Sequence, residues 1–324
     1  MSSAALLEVR GLQVRFDSDA GIVRAVNDVS YVLEAGRSLA LVGESGSGKS
    51  ASVLALLGLL PPGGSVAGGS ARFERLELLS LPASELRQLR GRRIGIVFQD
   101  PSTSLNPVLT IGCQLGEGMR QHLGLGAGAA RERAITLLTR VGIPAPEARL
   151  GDYPHQFSGG QRQRVVIAMA LACQPSLLIA DEPTTALDVT VQAQIVELLR
   201  SLRESQAMAL LWITHDLGLA ATLADSVAVM YAGYVVERAP ARDLFAAPRH
   251  PYTAGLLEAL PGRARGRGGL AAIPGAPPDL RQDFRACPFA PRCPYVVDRC
   301  RQENPPLLSV APGRESACWR WQDL

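Results

Sequence analysis

The sequence predicts an α/β fold built on a phosphate-binding loop, with a small antiparallel sheet before it and an irregular extension after it. Three observations carry this. Gly43-Glu44-Ser45-Gly46-Ser47-Gly48-Lys49-Ser50 fits the pattern G-x-x-x-x-G-K-[ST] and lies between a strand-like apolar run at 38–42 and a helix-like run at 51–58. Apolar runs at 176–180 and 210–214 each read as a buried strand and end on chemistry, Asp181-Glu182 in one case and His215-Asp216 in the other. After residue 240 the composition shifts, and a Gly/Pro/Arg-rich stretch at 261–280 reads as a linker before four cysteines.

Each part of the loop has a chemical reason. Glycines let successive N–H groups converge on phosphate oxygens, and the following helix start adds its positive dipole end. Lys49 is the only lysine in the chain, every other basic side chain being arginine. A compact ammonium is suited to β- and γ-phosphates where a guanidinium fork is not. The Ser50 hydroxyl is placed to serve as a ligand for Mg²⁺.

The remaining elements follow in order. Runs at 7–10, 12–16 and 29–33 alternate apolar and polar residues around a turn at 17–21, which predicts antiparallel strands. Phe16 is placed either to stack on an adenine ring or to fill the core. Residues 61–69, rich in glycine and proline, predict a loop, and 76–89 turns helical in its second half. A strand over 93–98 delivers Gln99 to the carboxyl edge of a sheet, where ligands bind. Residues 100–107 predict a loop, and 109–141 predict helices broken near 124–128, forming a helical insert. Ser158-Gly159-Gly160-Gln161 sits where a capped helix begins, with Ser158 as N-cap and the glycines leaving the helix start open to an anion. Asp181 is placed to hold Mg²⁺ through water, and Glu182 to orient or deprotonate the attacking water. Residues 189–203 predict an amphipathic helix, His215 is a candidate for the γ-phosphate, and 226–237 predict a hairpin.

Composition narrows the class. The chain has 324 residues, 47% apolar content and a net charge of +3, enough for a large core and too mild to argue for nucleic acid. No apolar run approaches the roughly 18 residues of a membrane span. The N-terminus shows no basic stretch followed by an apolar core, so no secretion signal is expected. A cytoplasmic chain able to dock on a membrane protein follows as the expectation.

Taken together, the phosphate loop, Gln99, Phe157-Ser158-Gly159-Gly160-Gln161, Asp181-Glu182, Ala186-Leu187-Asp188 and His215 resemble the ABC-type ATPases over roughly residues 5–240. The finer resemblance is to the ATP-binding subunits of dipeptide and oligopeptide importers. It rests on Phe98-Gln99-Asp100-Pro101, Ser104-Leu105-Asn106-Pro107, Tyr153-Pro154-His155-Gln156-Phe157, the run from Asp181 to Thr190, and His250-Pro251-Tyr252-Thr253. Many members carry methionine where this chain has Gln161. The resemblance implies a RecA-like core at 5–240 with a helical subdomain at about 101–157, and a transporter-type extension at 241–324. It implies a head-to-tail dimer with two ATPs at its interface, and ATP hydrolysis that powers peptide import. Gly43, Ser45, Gly46, Ser47, Gly48, Lys49, Ser50, Gln99 and Asp181 would hold nucleotide in one subunit, with Ser50 and Gln99 on Mg²⁺. Ser158, Gly159, Gly160, Gln161 and Asp188 would reach the partner's nucleotide. Gln99, Glu182 and His215 would serve the reaction, and Phe16 would stack on adenine. The implied partners are a second ATPase, expected to be a paralogue, two permeases and a solute-binding protein, at the cytoplasmic face of the cell membrane.

Cys287, Cys293, Cys300 and Cys318 follow the spacing C-x5-C-x6-C-x17-C, with Pro288 and Pro294 after the first two. Clustered thiols in an intracellular chain suggest metal more than disulfide. The spacing lacks the close pairs typical of structural zinc and leans toward iron–sulfur, with zinc and unliganded thiols as the alternatives. Some relatives with the same four cysteines bind a [4Fe–4S] cluster there. Cys113 and Cys173, in apolar helical settings, are expected in the core. A soluble ABC protein of DNA repair or translation is the rival class. It would carry a long coiled coil before the Ser-Gly-Gly-Gln stretch or a second ATPase unit, and neither pattern is present. A nucleic-acid module in the tail is disfavoured by scattered basic residues and few aromatics. The sequence does not name the solute.

Overall fold

The computed structural model describes residues 5–185, 187–260 and 273–324. Ala186 and the first part of the expected linker, 261–272, lie outside them. The chain divides into two compact units. The first comprises residues up to Glu34, Ser38–Leu81 and Ile213–Leu324, and the second Ala35–Arg37 and Pro82–Trp212. In chain order the strands are β1 (Ala5–Ser18), β2 (Gly21–Glu34), β3 (Ser38–Val42), β4 (Gly64–Phe73), β5 (Leu76–Glu77), β6 (Ile94–Val97), β7 (Leu177–Asp181), β8 (Ala209–Thr214), β9 (Ser226–Tyr231), β10 (Tyr234–Pro240), β11 (Leu308–Ala311) and β12 (Arg314–Ser316).

In the first unit, β2, β1, β4 and β5 form an antiparallel sheet in that order. The alternation read from the sequence is what builds it: Leu7, Val9, Leu12 and Val14 are buried along β1, paired with Leu33, Tyr31, Val29 and Val26 of β2. Residues 61–69 are not all loop, because β4 begins at Gly64 and pairs with the end of β1 at Phe16↔Gly64 and Arg15↔Ser65. The glycines that suggested a loop are there because β1 presses on this strand. A Cβ on Gly69 would lie 2.5 Å from the Gly11 carbonyl oxygen.

A second set of strands in this unit runs β11-β12-β10-β9-β3, with β3 and β9 parallel. All five residues of β3 are buried, as a strand covered on both faces requires. The core around it joins Val42, Val229, Tyr231 and Val236 to tail residues Tyr252, Leu257 and Phe289. The tail is therefore packed into this unit's core rather than trailing from it. Tyr231, Tyr252 and Phe289 form a tight aromatic group, with ring centroids 4.6, 5.3 and 5.5 Å apart.

In the second unit the strands run β8, β7, β6, with β6 and β7 parallel and in register at Val97↔Ala180. Every residue of β7 and β8 is buried. Residues 101–156 contain only helical elements among the described residues, chiefly Ile111–Leu123 and Ala127–Arg140. The expected loop at 100–107 holds one helical turn, Pro101–Ser104, because the Asp100 carboxylate accepts from Ser102 N–H at 2.7 Å and caps it. The buried Gln114 then fixes 106–109 by accepting from Asn106 N–H and donating to the Asn106 and Leu109 carbonyls, each at 2.9 Å. Cys173 is buried as expected, but Cys113 is exposed. Its helix turns Ile111, Gln114, Leu115 and Met119 inward, and 113 falls between those positions.

Glu237 of β10 is 1% exposed and accepts the Arg249 N–H at 2.7 Å. Burial raises its pKa to about 6 from 4.5, with the Arg249 hydrogen bond opposing the shift. An acid whose folded pKa lies above its unfolded one weakens the fold while ionised, and the penalty fades as pH falls between those values. Unfolding by urea at pH 7, 6 and 4.5 should show wild type gaining roughly 2 kcal/mol relative to Glu237→Gln on acidification. A constant difference between the two proteins would remove this role.

Candidate active site

The phosphate loop leaves β3 and enters the helix Lys49–Leu56. Its backbone is wedged against neighbouring backbone. A Cβ on Gly43 would lie 2.2 Å from the Met230 oxygen, and one on Gly48 would lie 2.1 Å from the Ala25 oxygen. Gly48 also has φ of +97°, a region that side chains disfavour. The Gly233 N–H donates to the Ser47 carbonyl at 3.1 Å, closing the loop onto the β9–β10 turn. Lys49, 4% exposed, directs its ammonium into the loop, donating to the Gly43 carbonyl at 2.8 Å and the Glu44 carbonyl at 2.9 Å. Ser47 is buried, whereas Ser45 and Gly46 lie exposed at the tip. Phe16 is half-buried, its ring close over Gly64, where a Cβ would come within 2.7 Å. His215 lies exposed just after β8, and Asp216 caps the next helix, accepting from Leu219 N–H at 3.1 Å.

The second unit gathers the other motif residues. Asp181 ends β7 and is buried. Glu182 follows with φ of +46°, an unfavourable conformation for a side-chain-bearing residue, of a kind that recurs at functional sites. Its carboxylate accepts from Thr185 Oγ1 at 2.8 Å and from Gln99 Nε2 at 3.5 Å. The structure thus brings Gln99 and Glu182 together, and it adds Thr185, to which sequence reasoning gave no role. The adjoining Asp-Glu-Pro-Thr-Thr run was the only signal for it.

Ser158 caps the helix Gly159–Ala170 through a reciprocal capping box. Ser158 Oγ accepts from Gln161 N–H at 3.3 Å, and Gln161 Oε1 accepts from Ser158 N–H at 3.1 Å. Gln161 therefore has a local structural reason to be where it is. Gly160 backs onto Val191, whose side chain a Cβ at 160 would approach to 2.8 Å, and the Val191 N–H donates to Asp188 at 2.9 Å. Ser158–Gln161 and Asp188 thus form one packed surface within this unit.

In the tail, Cys287, Cys293, Cys300 and Cys318 line one pocket together with His250, Phe289 and Trp319. Burial pushes the Cys287 thiol up to about 11 and Cys318 to about 12, and it raises Cys293 as well. The Cys287 N–H donates to the Cys300 carbonyl at 2.9 Å, and Arg320 N–H points at Cys318 Sγ at 3.4 Å. Among the described residues, no group of three or more His, Cys, Asp or Glu side chains is close enough to hold a single metal ion. Sequence reasoning also missed Glu44 and its partners. Arg292 NH1 and NH2 donate to the Glu44 carboxylate at 2.7 and 3.0 Å, and the Glu44 N–H donates to the Tyr252 hydroxyl at 2.9 Å.

A phosphate loop opening a helix, a strand-end Asp-Glu pair and a capped Ser-Gly-Gly-Gln helix define a nucleotide-hydrolysing cassette. Residues 26–185 match the ABC transporter family, and 236–300 match the oligopeptide/dipeptide transporter C-terminal region. The chain is 51% identical over 314 residues to the dipeptide transport ATP-binding protein DppD of Escherichia coli, covering 97% of this chain and 96% of that one. It is 50% identical over 315 residues to the oligopeptide transport ATP-binding protein OppD of Salmonella typhimurium, covering 97% and 93%. A dimeric ATP-binding cassette structure in a post-hydrolysis state with ADP and Pi superposes with a TM-score of 0.66 at 27% identity, covering 73% of this chain and 99% of that one. The structure of cbiO1 from Clostridium perfringens gives a TM-score of 0.63 at 28% identity, covering 75% and 91%. The chain belongs to the ATP-binding subunits of dipeptide and oligopeptide ABC transporters, and it is an ATPase. Among the described residues no helix is long and apolar enough to cross a membrane.

The glycine contacts separate two kinds of cost. Gly46→Ala meets only an unfavourable φ of +78°, with nothing within 4 Å, and should cost about 1 kcal/mol. Gly48→Ala adds the collision with Ala25 and should cost at least about 2 kcal/mol more in denaturant unfolding. Equal losses would mean that the loop relaxes around Gly48.

Proposed function

We propose that this chain powers uptake of peptides, or of a related small solute, as one of two ATPase subunits docked peripherally at the cytoplasmic face of the cell membrane. The observation that carries the reading is the Glu182 carboxylate at the end of a buried strand, held by Thr185 and Gln99 in a strained backbone. The names of the relatives support peptide as cargo, and the superposed cassette dimer supports a paired ATPase. The second ATPase would be a paralogue, and two permeases and a solute-binding protein would complete the assembly. The chain's domains in this reading are an ATPase domain at 5–240, with a helical subdomain at about 101–157, and a transporter-type extension at 241–324.

In this reading Gly43, Ser45, Gly46, Ser47 and Gly48 cradle the phosphates and Phe16 stacks on adenine. Lys49 turns its ammonium from the loop carbonyls to the β- and γ-phosphates. Ser50, Gln99 and Asp181 would hold Mg²⁺, directly or through water. Glu182 takes the proton of the attacking water, and His215 holds the γ-phosphate. Ser158, Gly159, Gly160 and Gln161 offer a helix N-terminus to the partner's nucleotide, and Asp188 links the two sites. ATP then bridges two subunits and stabilises their closed form, and hydrolysis releases it. Glu182→Gln should reduce ATP turnover by at least about 100-fold, from the size of a general-base contribution, while ATP still binds. Steady-state hydrolysis and nucleotide titration check this, and retained turnover would remove Glu182 from the role.

In the same reading, Cys287, Cys293, Cys300 and Cys318 would hold a [4Fe–4S] cluster. The spacing C-x5-C-x6-C-x17-C lacks the close cysteine pairs typical of structural zinc, which favours the cluster in this reading. A four-iron cluster spreads its ligands over a wider footprint, which suits four cysteines placed around one apolar pocket. As cluster ligands, the four cysteines would bind as thiolates. Protein purified without oxygen should be brown, absorb near about 400 nm and contain iron and sulfide. Colourless protein with stoichiometric zinc would replace the cluster by zinc.

A further inference from the structure

Glu44 is the second residue of the phosphate loop, and each of its polar groups is tied. Its N–H donates to Tyr252, and its carbonyl accepts from Lys49, both at 2.9 Å. Its carboxylate receives the Arg292 fork at 2.7 and 3.0 Å. Arg292 is not a surface partner, since its side chain is 5% exposed against 28% for Glu44. Its Nε donates to the Pro274 carbonyl at 2.9 Å, its NH1 reaches the Tyr231 hydroxyl at 3.3 Å, and its guanidinium stands 5.8 Å from the centre of the Tyr231 ring. The residue thus occupies a built socket, and Glu44 plugs into it.

The chemistry gives that socket a purpose. A carboxylate in a loop made for a triphosphate repels the ligand and competes for Lys49 and Mg²⁺ unless it is neutralised and turned aside. A guanidinium fork does both, fixing direction as well as charge, which a lysine does not. Arg292 lies between Cys287 and Cys293, on a short segment whose Phe289 packs on Tyr231 and Tyr252.

We propose that Arg292 is a positioning residue for nucleotide binding: it holds the Glu44 carboxylate out of the phosphate cradle and makes ATP affinity depend on the folded Cys287–Cys293 segment. This rests on residues 43–50 being the ATP site.

The test uses the full chain, for the Kd of a fluorescent ATP analogue, and the assembled transporter, for the KM and kcat of hydrolysis. Arg292→Leu should raise Kd and KM about tenfold, equivalent to about 1.4 kcal/mol, with kcat within twofold. Adding Glu44→Gln to that variant removes the stranded charge and should restore Kd to within about threefold of wild type, since a partner left unpaired carries most of the cost. A purely structural role for Arg292 predicts no such rescue. If Arg292→Leu fails to fold, by circular dichroism, Arg292→Lys carries the same test with a loss of about threefold, because it keeps the charge but not the fork. The proposal is overturned if the single variant binds within twofold of wild type, or if Glu44→Gln does not improve it. Lys49→Ala tests the underlying site separately. Unchanged binding there would sink the site assignment, whatever Arg292 does.

Discussion

Backbone touches backbone around the phosphate loop more closely than any side chain would allow. Gly43 faces the Met230 carbonyl, and Gly48 faces Ala25. The turn at Ala232-Gly233 is tied to both neighbours, with Gly233 N–H donating to Ser47, and its carbonyl accepting from Asn27 N–H at 2.7 Å. Three segments distant in sequence therefore meet without side chains between them. The geometry of the cradle is set by sterics and main-chain hydrogen bonds, which solvent and salt barely alter. A cradle built this way meets a ligand already in shape, so little binding energy is lost in ordering it.

The antiparallel sheet, the tail and the hairpin β9–β10 all bear on that meeting point. β2 supplies Ala25 and Asn27, and β9 with its turn supplies Met230 and Gly233. The same β9 ends on Tyr231, which anchors the aromatic group formed with Tyr252 and Phe289. An extension that sequence composition sets apart from the ATPase core is thus continuous with it in packing. Buried aromatic area and hydrogen-bonded hydroxyls, rather than a linker's freedom, decide where the cysteine segment sits.

Most of the local structure around the motif residues was legible in the sequence because it is set by near neighbours. Phosphate-loop spacing, the strand-end Asp181-Glu182 pair and the capping box at Ser158 and Gln161 are each set by a few consecutive residues, and the structure gives each its expected place in strand, loop or helix. What was not legible depends on partners far along the chain. Gly64 and Gly69 read as a loop because local propensity cannot see β1 lying against them. Cys113 read as core because apolar neighbours surround it in sequence, while the helix's period turns it outward. The bond between Arg292 and Glu44 joins residues 248 positions apart, with no spacing rule to announce it. The positive φ of Glu182 is likewise invisible from residue type, since only glycine or asparagine would have suggested a left-handed position.

The loop is fixed on its two sides by different physics, and this separates what can vary from what cannot. Against β2 and β9, the contact is a hard-sphere limit: a Cβ at 48 or 43 would collide with the Ala25 or Met230 carbonyl oxygen, and no small change of conditions relaxes it. On the tail side, the contact is the Arg292–Glu44 charge pair joined to a hydrogen bond that the Glu44 N–H donates to Tyr252. That second contact can weaken by degrees, because an arginine fork, an aromatic stack and a short cysteine-bounded segment each tolerate partial loss. A rigid wall opposite an adjustable one is the arrangement in which a remote structural change alters ligand affinity without destroying the site. The wall preserves the cradle's shape, and the charge pair sets how strongly a phosphate is drawn into it.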